Sequence, residues 1–430
     1  MASATIGEFC ALVYNQTMKT LLPLALAMLL WTLAACSPAP TPVPAPTATP
    51  EAAHHAPATP EIPTLTLWLP DWMILPEAAG QETLNQVTAA FASEKNVSVQ
   101  MIPKLATGKG GLLDALRTTK PVAPAILPDI IALPLQEIPQ AGSESLLQPL
   151  NEQLPDAMLD DLYPFARQAS QNNEAWMAVP FAADFEHLSF QPAVLSDPPV
   201  NWDIILASKK RYSFPVGSAD STWTDALLLH YLSATTSSKP TERDSAALRR
   251  QLAFYQALYQ AGQTDADMLQ TANPRGSWEQ SLQGAVPLAE TTARLWLSQQ
   301  GDATFLRFGP TPTQDGQARY LIHGWAYAII TADETQQALA ADLIKRLTEP
   351  QTLARWSIQA HILPANRASL QQWPASDYRN FANESLENGF LMPAFSQDEA
   401  FTRAVHQASR AVLSGERSAE EAWKQAIASW

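Results

Sequence analysis

Cysteine is almost missing from this sequence. Only Cys10 and Cys36 occur in 430 residues, both close to the N-terminus, so an intramolecular disulfide framework and a cysteine metal cluster are excluded and a buried core must supply the stability. Positive charge is also scarce. The 27 Lys and Arg face 42 Asp and Glu, a formal net charge of -15, and nucleic acid needs a basic surface for its phosphates. No nucleic-acid partner is expected. Long apolar runs are lacking too: the run at 21–33 is shorter than the about 20 residues that a membrane-spanning helix needs. The common catalytic and metal-site patterns His-Glu-x-x-His, Gly-x-Ser-x-Gly and Cys-x-x-Cys do not occur. Ala106-Thr107-Gly108-Lys109-Gly110-Gly111 falls short of a phosphate loop, because Pro103 stands where the first glycine belongs and Gly110 where Ser or Thr belongs. Asp265 and Asp267 read as solvated turn residues rather than the carboxylate pair of a glycoside hydrolase. No catalytic residue, metal or cofactor is expected.

The first residues present are those of an export signal. Met18-Lys19-Thr20 is a short basic start, the run at 21–33 is a signal-peptide core, and Leu33-Ala34-Ala35-Cys36 resembles the lipobox of bacterial lipoproteins. The resemblance implies a signal peptide over 1–35, with Met18 as the start of translation, lipid attachment at Cys36, and an extracytoplasmic protein anchored to the membrane. Residues 36–63 are rich in Pro, Ala and Thr, a composition that buries too little surface to fold and stays extended. His54-His55 falls in this linker and is read as incidental rather than as a metal pair.

From Leu65 the pattern changes. Leu65-Thr66-Leu67-Trp68-Leu69 reads as a buried strand, 82–93 as an amphipathic helix through Leu84, Val87 and Phe91, and 97–102 as a second strand. A helix at 112–116 and a strand at 128–133 follow. Later, 176–181 and 188–190 are extended, Asn201 caps a helix, 212–216 is a strand and a helix starts at Ser221. Strands are expected at 285–289, 304–308 and 325–330, with helices at 246–261 and 334–347. The last helix opens on the capping-box pattern Ser418-Ala419-Glu420-Glu421. Strand and helix segments at this spacing predict βαβ units, and with 13 Trp and 46% hydrophobic residues the expectation is an α/β protein with two lobes.

Several segments, in order, resemble a family 1 extracellular solute-binding protein, the receptor of sugar-type ABC importers. They are Leu65-Thr66-Leu67-Trp68, Pro128-Asp129-Ile130-Ile131, Val179-Pro180-Phe181-Ala182-Ala183-Asp184 with Leu188-Ser189-Phe190, Pro199-Val200-Asn201-Trp202-Asp203, His323-Gly324-Trp325, and His361-Ile362-Leu363-Pro364. The resemblance implies a periplasmic-binding-protein-like fold of two lobes, each a mainly parallel sheet flanked by helices. The first lobe would span 64–179 and 311–362 and the second 180–310 and 363–430, with crossings near Pro180, 308–312 and Leu363. It also implies a monomer that holds a small sugar-like solute between the lobes and delivers it to an ABC permease.

Sugars are held by flat aromatic faces and by groups that accept hydroxyl protons. Trp68, Asp71 and Trp72 lie at the end of the first strand, where open α/β sheets bind ligands, although Trp68 equally suits a core. Asp184 stands where the maltose-binding branch has a ligand-contacting glutamate, or else is a solvated hinge acid. Trp223 follows Gly217-Ser218 at an expected helix start, Thr291 follows a strand and offers a hydroxyl, and Trp325 lies two residues past His323. Trp223 equally suits buried packing, and for Trp325 a buried strand aromatic is the commoner role. The sequence departs from the maltose-binding branch at Leu133, Gln136 and Glu137, where that branch has Trp and an acid–base pair, and at Thr402 in place of a stacking tryptophan. Two other classes stay open: a surface-anchored enzyme and a binder without a transport role.

Overall fold

The structure is a computed structural model that describes residues 62–172, 175–221, 223–235, 242–264, 266–271 and 273–430. The expected signal peptide, Cys36, the linker through residue 61 with His54-His55, and Asp265 lie outside the described residues.

The strands are β1 (Thr64–Pro70), β2 (Ser98–Lys104), β3 (Ile130–Pro134), β4 (Gln171–Asn172), β5 (Ala175–Trp176), β6 (Val179–Phe190), β7 (Tyr212–Ser213), β8 (Leu288–Thr292), β9 (Arg307–Gly309), β10 (Ile322–Ile329) and β11 (Leu363–Pro364). Apart from the β4–β5 pair they form one sheet in the order β2-β1-β3-β10-β6-β8-β7, with β9 and β11 also on β6. The β1–β2, β1–β3 and β7–β8 pairs are parallel, the product of helical crossovers. The strands paired with β6 run antiparallel to it, as do β10 and β3, so the sheet is mixed where the chain passes from one core to the other.

Local sequence explains most of the elements. Leu65, Leu67, Trp68 and Leu69 of β1 are buried between helices. The helix Trp202–Ser208 begins where the Asn201 side chain accepts the Ile204 N–H at 2.9 Å, and the helix Ala419–Ile427 carries the capping box between Ser418 and Glu421. Other boundaries differ from expectation. The strands read at 176–181 and 188–190 are largely one strand, β6, because Asp184 and Glu186 interrupt the apolar run without interrupting the ladder. The helix expected at Ser221 starts instead at Asp225, where Thr224 accepts the Leu227 N–H at 3.3 Å and its hydroxyl donates to the Pro215 carbonyl at 2.6 Å.

Two hydrophobic cores flank the sheet. The first contains β1, β3, β10 and Phe181 and Phe185 of β6; the second contains Leu188 and Phe190 of β6 with Tyr212, Leu228, Tyr255 and Phe401. The chain changes core within β6, between Phe185 and Leu188, a few residues past the expected Pro180. The other two changes fall elsewhere than the expected boundaries. Trp278, Ala293, Trp296 and Leu306 pack in the first core while Leu288 between them packs in the second, so residues ahead of 308–312 already belong to the first core. Residues past Leu363 remain in the first core through Leu386, because Leu370, Trp373, Tyr378 and Ala382 bury against it, and Phe401 resumes the second.

Candidate functional site

Alternation along β6 and β10 assembles the site. Residues directly opposite in an antiparallel pair share a face, and the register sets His323 against Asp184 and Trp325 against Ala182. His323 and Trp325 are half-buried while Ile322, Gly324 and Ala326 between and beside them are buried. Gly324 is required by close approach: a Cβ there would stand 2.2 Å from the Ala182 carbonyl oxygen and 2.8 Å from the Leu135 side chain. The short helix Asp71–Ile74 follows β1 directly and brings Trp72 to the same place. The Trp72 ring meets Trp325 edge-on at 5.6 Å and Trp356 at 6.5 Å. Trp356 in turn contacts Phe181, which stacks on Tyr327 at 4.1 Å, so the half-buried rings of Trp72 and Trp325 are braced by the first core.

Charged groups border these rings. The Arg294 guanidinium lies over Trp72, 4.5 Å from the ring centroid, and the Arg294 backbone N–H donates to the Asp184 carboxylate at 3.0 Å. Burial pushes the Asp184 carboxyl above its ordinary range, against the pull of that N–H and of the Arg294 and His323 charges. Burial likewise lowers Arg294, and Asp184 opposes it. His323 Nε2 is 3.3 Å from an Asp225 carboxylate oxygen at the start of the helix Asp225–Ser233. Glu186, two residues past Asp184 on the same face of β6, is buried. Its carboxyl is raised well above the usual range, first by burial and then by Asp225, Glu290 and Asp184.

Of the seven candidate ligand residues, Trp72, Trp325 and Asp184 come together here, Trp72 against Trp325 and Arg294, and Asp184 against Arg294 and opposite His323. Asp71 opens the helix that carries Trp72 and accepts the Trp72 N–H at 2.8 Å. Trp68 is a core residue, buried in β1 with the Lys104 ammonium 4.4 Å from its ring centroid. Thr291 is fully buried and opposite His187, one residue out of step with Glu186 and Asp184, so it faces the other side of the sheet. Trp223 packs edge-on against Phe401 at 5.7 Å on the flank of the second core. Arg294, Glu186, His323 and Asp225 were not among the sequence candidates. Asp184 and Glu186 at i and i+2 in a strand carry a legible signal for one face. Arg294 has none, since its partner is 110 residues away.

The sequence profile of the family described as bacterial extracellular solute-binding protein matches residues 86–383. The chain belongs to that family. A maltotriose-binding protein of Pyrococcus abyssi is 25% identical to this solute-binding protein over 130 residues, 30% of this chain and 28% of that relative's length. The fold is that of the cyclic alpha-maltosyl-1,6-maltose binding protein from Arthrobacter globiformis, with a TM-score of 0.66 at 17% identity over 86% of this chain and 98% of that one. Maltose-bound MalE3 of T. maritima gives a TM-score of 0.65 at 17% identity over 85% of this chain and 98% of that one. These relatives are binding proteins, and the family is extracytoplasmic.

One departure from the sugar branches has a measurable consequence. Burial pushes the Glu137 carboxyl up to about 7, with Arg117 pulling the other way, and its Oε2 has no hydrogen-bond partner. The folded value lies above the unfolded one of about 4.3, so the native state holds more protons between those values. Stability therefore falls as pH rises from about 4.3 to 7. Glu137→Gln is expected to flatten this slope and to raise stability at pH 8 by about 1 kcal/mol or more, the cost of an unsatisfied buried polar atom. Melting temperatures of both proteins between pH 4.5 and 8 check this; parallel curves would contradict it.

Proposed function

We propose that this protein is a lipid-anchored, extracytoplasmic receptor that captures an oligosaccharide between its two lobes and delivers it to an ABC importer. The observation that carries the proposal is the pairing of the Trp72 and Trp325 rings with Arg294, Asp184 and His323 on one face of β6 and β10. Aromatic rings cover the C–H faces of a sugar, and the ionised groups bond its hydroxyls more strongly than neutral ones. The strand under the site, β6, passes from one core to the other, so a solute seated on it is placed to contact both and to favour a closed state. The names of the relatives, which bind maltotriose, maltose and a cyclic maltosyl-maltose, support a glucose-based oligosaccharide. Cys36 would hold the lipid, and tethering raises the effective concentration of the receptor beside its permease. The protein acts as a monomer without catalysis.

The test is a panel of oligosaccharides and polyols, read by thermal shift and by small-angle scattering. A solute at 100 times its Kd stabilises the folded state by about 2.7 kcal/mol, so a rise of several degrees in Tm with a smaller radius is expected for at least one oligosaccharide. Turnover of the solute, or no response across the panel, overturns the proposal.

A further inference from the structure

Glu186 is an acid without a visible purpose in the folded protein. It is 3% exposed and its Oε2 has no hydrogen-bond partner among the described residues. The neighbouring acids each have a partner at one oxygen: Asp184 accepts the N–H groups of Phe185 and Arg294, Asp225 lies at ion-pair distance from His323, and Glu290 Oε1 accepts from Tyr212 and His230 while its Oε2, like that of Glu186, has no hydrogen-bond partner. The charges felt by Glu186 are those of Asp225, Glu290 and Asp184, all of its own sign. A buried carboxyl in such company costs more than a leucine or a glutamine would. Its position relates it to the site, because it shares the face of β6 with Asp184 and stands opposite Thr292, the cap of the helix Ala293–Ser298 that carries Arg294.

We propose that Glu186 is a solute-contacting residue that determines specificity, its free carboxyl oxygen meeting a hydroxyl of the oligosaccharide at the acidic end of the site. This rests on the sugar-receptor function proposed above. A carboxyl oxygen without a partner suits a hydroxyl, which can donate to it. The unsatisfied atom is then completed by the solute, and a solute lacking that hydroxyl leaves it unpaired, which is how buried polar groups discriminate.

Function and stability are predicted to move in opposite directions. Purified full-length wild type, Glu186→Leu and Glu186→Gln are titrated calorimetrically with maltotriose, or with the oligosaccharide that stabilises the wild type in the panel above, and with its monodeoxy derivatives. Glu186→Leu is expected to lose about tenfold or more in affinity while the Tm without solute rises by about 2 °C. Glu186→Gln, isosteric and still able to accept, is expected to bind within about threefold of wild type. One monodeoxy derivative is expected to lose affinity for the wild type but not to lose more for Glu186→Leu. Unchanged affinity in Glu186→Leu overturns the inference and leaves the sugar proposal intact. A fall in the Tm of solute-free Glu186→Leu also overturns it, because it assigns Glu186 to the fold. A wild type that binds no oligosaccharide overturns the sugar proposal and this inference together.

Discussion

Replacing His230 with leucine is expected to remove about 2–4 kcal/mol of stability, the cost of leaving two buried polar groups each short of a hydrogen-bond partner. His230 and Glu290 are both fully buried, with His230 Nε2 at 2.7 Å from Glu290 Oε1. The surrounding bonds assign the imidazole tautomer. Gln251 donates to the Tyr255 hydroxyl at 2.8 Å, which frees that hydroxyl to donate to His230 Nδ1, also at 2.8 Å. His230 then carries its proton on Nε2 and donates to Glu290, which also accepts from the Tyr212 hydroxyl. Burial and then the Glu290 charge hold the Tyr212 hydroxyl well above its ordinary pKa, so it stays a donor. The chain of bonds ties β7 and β8 to the helices Asp225–Ser233 and Ser245–Gln260. Leucine at 230 leaves the Glu290 carboxylate with Tyr212 alone and Tyr255 without an acceptor. Denaturant unfolding of His230→Leu checks the magnitude, and a loss under about 1 kcal/mol would contradict the account. Replacing both His230 and Glu290 with leucine is expected to cost less than the sum of the two single changes, since neither group is then left buried without the other. Asp225 begins one of the tied helices and Thr292 ends β8, so the single variant is also expected to bind solute more weakly.

The same network marks how far sequence alone reaches. Strand and helix alternation exposed the α/β architecture because period and punctuation are local properties, and Asn201 and Ser418 cap their helices as their side chains suggest. Trp72 and Asp184 were named from their places at the end of the first strand and in the Val179–Asp184 segment, and the structure sets them near one another through Arg294. What sequence does not carry is register. Thr291 and Glu290 are neighbours in the chain, yet pairing of β8 with β6 sets one opposite His187 and the other opposite Leu188, and only one face belongs to the site. Trp68 and Trp72 are likewise close in sequence, but one points into the first core and the other lies half-buried beside Arg294. Core membership depends on pairing in the same way: β11 pairs with Ala182 and Ala183 of β6, and the residues that follow it through Leu386 bury in the first core.

That contrast between Trp68 and Trp72 supplies the strongest test of the site. Trp72→Ala is expected to weaken solute binding by roughly 30- to 300-fold, about 2–3.5 kcal/mol, as removal of a central aromatic anchor does. The ring is fixed before any solute arrives, by Trp325 at 5.6 Å, by Trp356 at 6.5 Å and by the Arg294 guanidinium above it, so little ordering cost attends binding. Its loss also releases Arg294 from the ring, and that arginine's backbone N–H is one of the two that hold Asp184. Trp72→Phe keeps a flat face and is expected to retain most of the affinity. Trp68→Ala is expected to behave oppositely, costing about 3–5 kcal/mol of stability as a large core deletion while leaving the affinity of the remaining folded protein near that of wild type. Calorimetric titration and denaturant unfolding of the same three variants separate the effects. Should Trp72→Ala bind its oligosaccharide within about threefold of wild type, a shift under about 1 kcal/mol, the solute does not sit on this ring and the face of β6 and β10 is not the receptor's binding surface.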